Sequence, residues 1–394
     1  MDFQSVNPLN VRLNLISGNL LPMTADGTVF STFWKIHSVF VWLLTAVHTS
    51  VLIYGCTLVP REKALKDGSV ALVITVEVIF MVMQIHARKR LVLQLIKKMN
   101  EILCLKNEMI KDIVIALLKS MKIPLKFYWM AGVVSIIVWC SAPFVVILER
   151  NYFFYVDYRM PVFYAEEPFS ISIFVLGTLI LMVSSMYTFT KKVSVDSYMI
   201  HMILLVTAQY KYIASKLSMI FQDGIHNNGP KERYSNVDCY TEKEIKSLCQ
   251  HHNLTLQIIL LLKTLLSLNL SLIYVNSVFR FCFIGVMILS ISSTTLLETS
   301  MIIIYASGAI VQLYILCSCV QQLLDAGIEI TDKAFHEEWY RYGKSIKHMF
   351  VILIMANNLD CKLSTFDNLN LSLSSFMQIL NSSYSIAILL SKTT

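Results

Sequence analysis

The chain has 394 residues, of which 56% are hydrophobic and 15% charged, with a formal net charge of +7 and a mean hydropathy of +0.61. A soluble core must be wrapped in polar surface, and ordinary soluble domains carry about 25% charged residues, so one large soluble domain is excluded. With 12 Gly and 8 Pro against 21 Phe and 18 Tyr, disorder, collagen and coiled coil are excluded as well, which leaves a polytopic helical membrane protein.

Residues 1–33 form an N-terminal segment, expected to be cytoplasmic, with no basic region followed by an apolar run and a cleavage site, so no cleavable signal is expected. A bilayer core about 30 Å thick takes roughly 20 apolar helical residues. Stretches of that kind run Ile36–Val59, Ser69–Ala87, Phe127–Leu148, Phe169–Thr190, Leu265–Leu297 and Met301–Val320, with the break between the last two placed around Glu298. A seventh, Leu369–Leu390, has a polar middle at Asn381, Ser382, Ser383, Tyr384 and Ser385.

Orientation follows from the positive-inside rule. With seven spans, 26 of the 33 basic residues fall on one side and 6 on the other, with Arg280 inside the fifth stretch. The N-terminus is therefore cytoplasmic and the C-terminus extracellular. This distribution also accounts for the net positive charge without nucleic acid as a partner; the partner of the surface is the lipid bilayer.

Two of the inner links read as helix. Ile200, Ile203, Leu204, Ile213, Leu217 and Ile220 recur at helical spacing, which predicts that the fourth span continues through Ser197–Phe221. After the breaker-rich segment Asp223–Asp238, a similar pattern occupies Thr241–Lys263. A further helix is predicted over Asp332–Asn357, with Phe335, Trp339, Tyr342, Ile346, Met349 and Phe350 on one stripe.

Catalytic and metal chemistry have no support. His251 and His252 lack companions at zinc spacing and read as a solvated helix face, His336 and Glu337 lack the second His of a zinc-protease motif, and none of the nine cysteines lies in a predicted outer loop. No phosphate-binding glycine loop or nucleophile elbow occurs, so neither an enzyme nor a cofactor is expected. The sequons at Asn253, Asn269, Asn370 and Asn381 fall in cytoplasmic or membrane positions and are predicted to stay unglycosylated.

The last third carries the most specific pattern. Gln312, Leu313, Tyr314 and Cys317 are followed by Gly327, Ala334, Trp339 and Tyr340, and then by the run from Ser372 to Ser385. This order resembles the C-terminal signature of the insect odorant receptors; the His251 and His252 pair, Asn276, Phe281, Cys282 and Gly285, the length and the inverted seven-span topology fit the same family. One departure is Asn357–Cys361, where many members have an Arg-Gln-Pro-like stretch.

The resemblance implies a subunit of a ligand-gated, non-selective cation channel, assembled with a shared odorant co-receptor subunit into a heterotetramer in the plasma membrane of a sensory neuron dendrite. Its parts would be an N-terminal segment (1–33), six spans with long cytoplasmic links forming a ligand-binding domain (34–323), and an anchor helix with a pore-lining seventh helix (324–394). A polar seventh span is better placed against water or protein than lipid on physical grounds alone; hydroxyls bonding back to the helix are the other account. In the pore reading Tyr384, Ile388 and Lys392 share one face with Leu389 and Thr393 beside it, Ile388 or Leu389 closes by dewetting, and Lys392 leaves most of the permeation properties to the co-receptor. The resemblance puts a small volatile ligand in the outer half of spans two, three, four and six. There an apolar, aromatic-lined cavity points to Ile74, Val78, Ile137, Trp139, Phe174, Thr178, Ile302 and Tyr305, residues that helix packing would equally place there. Glu77 joins them because a carboxylate within a span costs roughly 2.5–3.5 kcal/mol and is functional by default, unless hydrated near the outer end. Arg280 carries a similar cost unless it lies on a cytoplasmic extension. A G-protein-coupled receptor is opposed by the inward N-terminus and the missing D-R-Y and N-P-x-x-Y sequences, and a secondary transporter by the lack of internal repeats.

Overall fold

The computed structural model describes residues 1–27, 30–60, 63–64, 68–104, 107–148, 150–158, 166–226, 234–289, 296–357 and 371–393. Ten α-helices are described: α1 (Pro8–Ile16), α2 (Thr32–Leu58), α3 (Ser69–Ala87), α4 (Lys89–Leu103), α5 (Glu108–Ser141), α6 (Ile171–His226), α7 (Tyr234–Leu289), α8 (Leu296–His336), α9 (Lys344–Asn357) and α10 (Leu373–Thr393). Six of them, all but α1, α4, α9 and α10, are long and apolar enough to cross a membrane. The 21 residues of α10 also reach about 30 Å, enough for a seventh crossing.

Length explains the architecture. Helices α6 and α7 have 56 residues each and α8 has 41, so at 1.5 Å per residue they reach about 84 and 60 Å and must run well beyond a bilayer core. The predicted continuation of the fourth span is thus a single helix with its membrane part. Helix α6 is the axis of the fold, packed on α1, α2, α3, α5, α7 and α8, and nearly every side chain from Lys191 to Ala214 is buried.

Short amphipathic helices close the other side of this extension. In α4, Val92, Leu95, Ile96, Met99, Ile102 and Leu103 are buried at helical spacing against α7. Helix α1 is capped by the Asn7 side chain, which accepts from the Asn10 amide, with Pro8 in its first turn. Ahead of it, Phe3 is almost completely buried between Tyr198 and His201 of α6, with ring centroids 5.9 and 4.7 Å away. Tyr198 donates to the Pro22 carbonyl at 2.6 Å and Asn19 donates to the Lys191 carbonyl at 3.0 Å, so the N-terminal segment is docked rather than free.

Four boundaries differ from expectation. Helix α7 is described to Leu289 and α8 from Leu296, so Glu298, where the break was expected, is inside α8. The third span turns into a 3-10 helix at Ala142–Leu148, where Pro143 removes a backbone donor. The predicted helix over Asp332–Asn357 is two helices: α8 continues to His336, a 3-10 turn follows at Trp339–Arg341, and α9 restarts at Lys344 after Gly343. Phe335 is correspondingly off the stripe and exposed, while Trp339 stacks on Phe350 at 5.0 Å and Phe350 meets Phe221 at 5.5 Å. The breaker segment Asp223–Asp238 is narrower than expected, since α6 reaches His226 and α7 begins at Tyr234. Residues 227–233, the sequon at Asn370 and Cys361 lie outside the described residues, as do the side chains of Cys239, Lys392 and Thr393.

The histidine pair is not a solvated face. His252 is buried and its Nε2 lies 3.3 Å from the Asn357 Oδ1 at the end of α9; Asn357 donates in turn to the Gly327 carbonyl at 2.8 Å and to Thr331 at 2.9 Å. His251 reaches Gln209 of α6 at 3.2 Å. The reason is tertiary: α6, α8 and α9 converge on this point of α7. Burial, with the neighbouring His252 adding to it, holds the His251 imidazole down at about 4, and burial lowers His252 despite its bond to Asn357. Burial disfavours the protonated form of both rings in the folded chain, so unfolding takes up protons below their ordinary value of 6.5. The stability this provides is complete above about pH 6.5 and is lost as pH falls toward 4. The melting temperature of the solubilised chain is expected to drop between pH 7 and pH 5, less steeply in H251N/H252N; identical profiles would contradict the burial.

Candidate functional site

Where α2, α3, α5, α6, α7 and α8 meet, they line a cavity of about 150 Å³, the size of an engineered cavity that holds benzene. Its wall is apolar, from Ile74, Ile136, Trp139, Phe189, Met287 and Ile302, with His48, Thr75, Ser135 and Tyr305 among the polar groups. Small residues make the room. An ideal Cβ on Gly132 would sit 2.5 Å from both Cε carbons of Phe189, and one on Gly308 would sit 3.3 Å from the Ala131 Cβ, so glycine lets α5 approach its neighbours at these positions.

Beneath the cavity lies a buried polar chain drawn from five helices. Lys192 of α6 pairs with Glu77 of α3 at 2.6 Å and with Asp196 one turn on at 2.8 Å, all three side chains at most 5% exposed. Asp196 accepts from Tyr128 of α5 at 3.1 Å and from the Gln312 amide of α8 at 2.7 Å; Gln312 accepts in turn from Arg280 of α7 at 2.6 Å. Two carboxylates thus meet one ammonium and one guanidinium, and the group is formally neutral. Lys192, Arg280, Gln312 and Tyr128 form the cavity floor. Beside it, Lys191 lies 3.6 Å over the Trp42 ring and donates to Thr45 at 2.8 Å, tying α2 to α6.

Two expectations change here. Glu77 is not hydrated near an outer end: it is buried and ion-paired. Arg280 is not on a cytoplasmic extension: it is 7% exposed in the floor of the cavity, because Gln312 and the acidic groups behind it compensate its charge.

Of the residues expected around a ligand, the structure brings Ile74, Trp139, Ile302 and Tyr305 together on the cavity wall. Val78 is buried in the general core. Ile137 lies on the outer face of α5, 45% exposed, while its neighbour Ile136 faces the cavity; adjacent helical residues differ by about 100° and only the neighbours' positions fix the phase. Phe174 belongs to an aromatic cluster with Phe153, Tyr155, Tyr158 and Phe169, stacked on Phe153 at 4.3 Å, and Thr178 bonds back to the Phe174 carbonyl at 2.9 Å. Arg280, Lys192 and Gln312 were missed as lining residues, although a charge inside an apolar stretch was signal enough for Arg280.

On α10, Ser383 is buried and donates to the Val278 carbonyl of α7 at 3.2 Å and to Ile379 at 2.7 Å. Asn381, Ser382, Tyr384, Ser385 and Leu389 are exposed and Ile388 is half-buried. The helix therefore has one face seated on α7 and α8 and a polar face turned away from the rest of the chain.

These features define a helical membrane protein with a mostly apolar cavity between its helices above a charge-paired floor. Residues 68–384 match the 7tm odorant receptor family, and the chain belongs to that family. As a member it is a receptor and not an enzyme. Odorant receptor 67c of Drosophila melanogaster is 23% identical over 201 residues, an alignment covering 50% of this chain and 46% of that receptor, so it spans less than half of the relative's length. The solved insect olfactory receptor OR5 from Machilis hrabei superposes over the whole of both chains with a TM-score of 0.75 at 10% identity, and its complex with eugenol does so with a TM-score of 0.74 at 12% identity. The likeness is one of fold: nearly all helix, with several membrane spans.

Proposed function

We propose that this chain is an odorant receptor subunit that binds small volatile organic compounds in the cavity between α2, α3, α5, α6, α7 and α8, and gates a non-selective cation channel with a shared co-receptor subunit. The observation that carries this reading is the cavity itself: about 150 Å³, walled by Ile74, Ile136, Trp139 and Ile302 and closed below by a neutral polar group. A chamber of that size and lining takes a compact apolar guest and gives no purchase to a large or charged one. The solved relative of the same fold is described in complex with eugenol, a small volatile aromatic, which supports a guest of this class here.

In this reading residues 34–323 are the ligand-binding domain, and residues 324–394 supply an anchor and a pore-lining helix. The exposed polar face of α10 at Asn381, Ser382, Tyr384 and Ser385 faces the ion path. Tyr384, Ile388 and Leu389, with Lys392 and Thr393 beyond them, form its outer part, and Ile388 or Leu389 is the hydrophobic gate. Assembly with the co-receptor into a heterotetramer in the plasma membrane of a sensory dendrite completes the channel.

The test is a volatile panel applied to cells expressing this chain with an odorant co-receptor. The expected result is a ligand-evoked cation current that requires both chains and persists when G-protein signalling is blocked. Silence across the panel, or a current lost on that block, would overturn the reading.

A further inference from the structure

The inner part of α5 carries a row of lysines on one face. At about 100° per residue, Lys119, Lys122 and Lys126 fall within an arc of about 60°, and all three are exposed. Along the same side toward the outer end come Trp129, Met130 and Ile137, also exposed. An indole sits at headgroup level and exposed aliphatic side chains above it face hydrocarbon, so the order of residues sets the inner membrane boundary near Trp129. At 1.5 Å per residue, Lys126 then lies about 4.5 Å below that boundary, Lys122 about 10.5 Å and Lys119 about 15 Å.

The row is not neutralised by the protein. No acidic residue occurs from Ile113 to Leu148. Lys111, further down the helix, pairs with Glu108 at 3.8 Å, whereas none of the three lysines has an ion pair among the described residues. Of the helices packed on α5, α8 has Asp325 and Glu329 in its inner part, and these hold Gln321 and Lys333, while Asp196 of α6 is buried with Lys192. Topology asks only that basic residues lie on the inner side of the membrane. It does not ask for three of them on one narrow face beneath a tryptophan.

Depth limits what anion the row fits. A lipid whose charge lies at the phosphate plane reaches Lys126 and leaves Lys122 and Lys119 one and two turns beyond it. A headgroup that carries further phosphates outward from the bilayer meets all three.

We propose that this face of α5 is a binding site for an inner-leaflet phosphoinositide, with Lys126 on the phosphodiester and Lys122 and Lys119 on the ring phosphates. Trp129 seats the site at the interface. The same helix lines the cavity through Ile136 and Trp139, so the lipid holds the inner end of a helix that the cavity shares.

The experiment uses the purified full-length chain in detergent and dioctanoyl lipids as probes, with binding read from the rise in melting temperature over a titration. A lysine near a membrane surface is worth about fivefold in affinity for anionic lipid. Phosphatidylinositol 4,5-bisphosphate is therefore expected to bind at least about tenfold more tightly than phosphatidylserine. K119Q/K122Q is expected to abolish that preference and leave phosphatidylserine affinity unchanged, whereas K126Q weakens both lipids about fivefold. K89Q/R90Q removes two exposed charges from the start of α4 and is expected to keep the preference. Equal binding of the two lipids by the unaltered chain, or a preference that survives K119Q/K122Q, overturns the proposal. So does an equal loss in K89Q/R90Q, which would mean a diffuse basic surface. Inositol 1,4,5-trisphosphate binding as tightly as the lipid would make this a site for a soluble phosphate and overturn the membrane reading.

Discussion

Replacing Lys192 by Met is expected to prevent accumulation of folded protein. Lys192 is the cation between Glu77 and Asp196, at 2.6 and 2.8 Å, and a methionine of similar length leaves two carboxylates buried with nothing between them. Removing one partner of a buried pair costs about 3–5 kcal/mol, because the other charge stays desolvated. That approaches the whole of a typical domain's stability of about 5–15 kcal/mol. Glu77→Gln added to K192M removes one of the stranded charges, while Asp196 keeps its bonds from Tyr128 and Gln312, so the double variant is expected to recover much of the lost protein. Size-exclusion profiles of the detergent-solubilised variants check both. A K192M variant as abundant and monodisperse as the unaltered chain would mean that the pair is not buried as described.

Gly132→Ala is expected to lose ligand binding and stability together. The added methyl would overlap the end of the Phe189 ring, and a ring does not yield as a flexible aliphatic tip would. Phe189 is edge-on to Tyr128 at 5.6 Å and is part of the cavity wall, so the space open to it is the cavity. Overpacking of this kind costs about 1–3 kcal/mol, and a ring swung inward occupies volume a guest would use. Volatile affinity is expected to fall by at least about tenfold, with a lower melting temperature. Phe189→Leu in the same chain should restore the melting temperature; restoration of neither property, or a silent G132A, would place the ring elsewhere.

What could be read along the chain and what could not divide on a physical line. Spans, the inner continuation of the fourth span and the polar seventh are properties of contiguous residues, and periodicity reports them: Ile200, Ile203, Leu204, Ile213 and Leu217 lie on one buried helix as their spacing implied. The cavity is a property of several helices at once. Ile137 in place of Ile136 is an error of one residue, which on a helix is an error of facing. Phe174 read as a pocket aromatic, yet the link before α6 supplies Phe153 and Tyr158 to cover it. The floor shows the same limit. Glu77 and Arg280 each stood out as an intramembrane charge, but their compensation runs through Lys192, Asp196 and Gln312, over 200 positions apart at the extremes, and no local pattern announces it. His251 and His252 read as solvent-facing because adjacent polar residues usually are; the helices that cover them arrive from three other parts of the chain.

The docking of Phe3 against Tyr198 and His201 has a consequence for biosynthesis. Nearly 200 residues separate these partners, so at about 5–20 residues per second the ribosome takes roughly 10–40 s to deliver the surface that receives the N-terminal segment. During that interval the segment from Asp2 to Pro22 has only its contacts with α2, α3 and α4, among them Ser38 and Trp42 donating to the Gly18 carbonyl and the Phe3 amide donating to Asn100, and the Phe3 ring lacks its α6 partners. The arrival of α6 then covers the Phe3 ring and completes the seat of a segment that the earlier helices hold only in part.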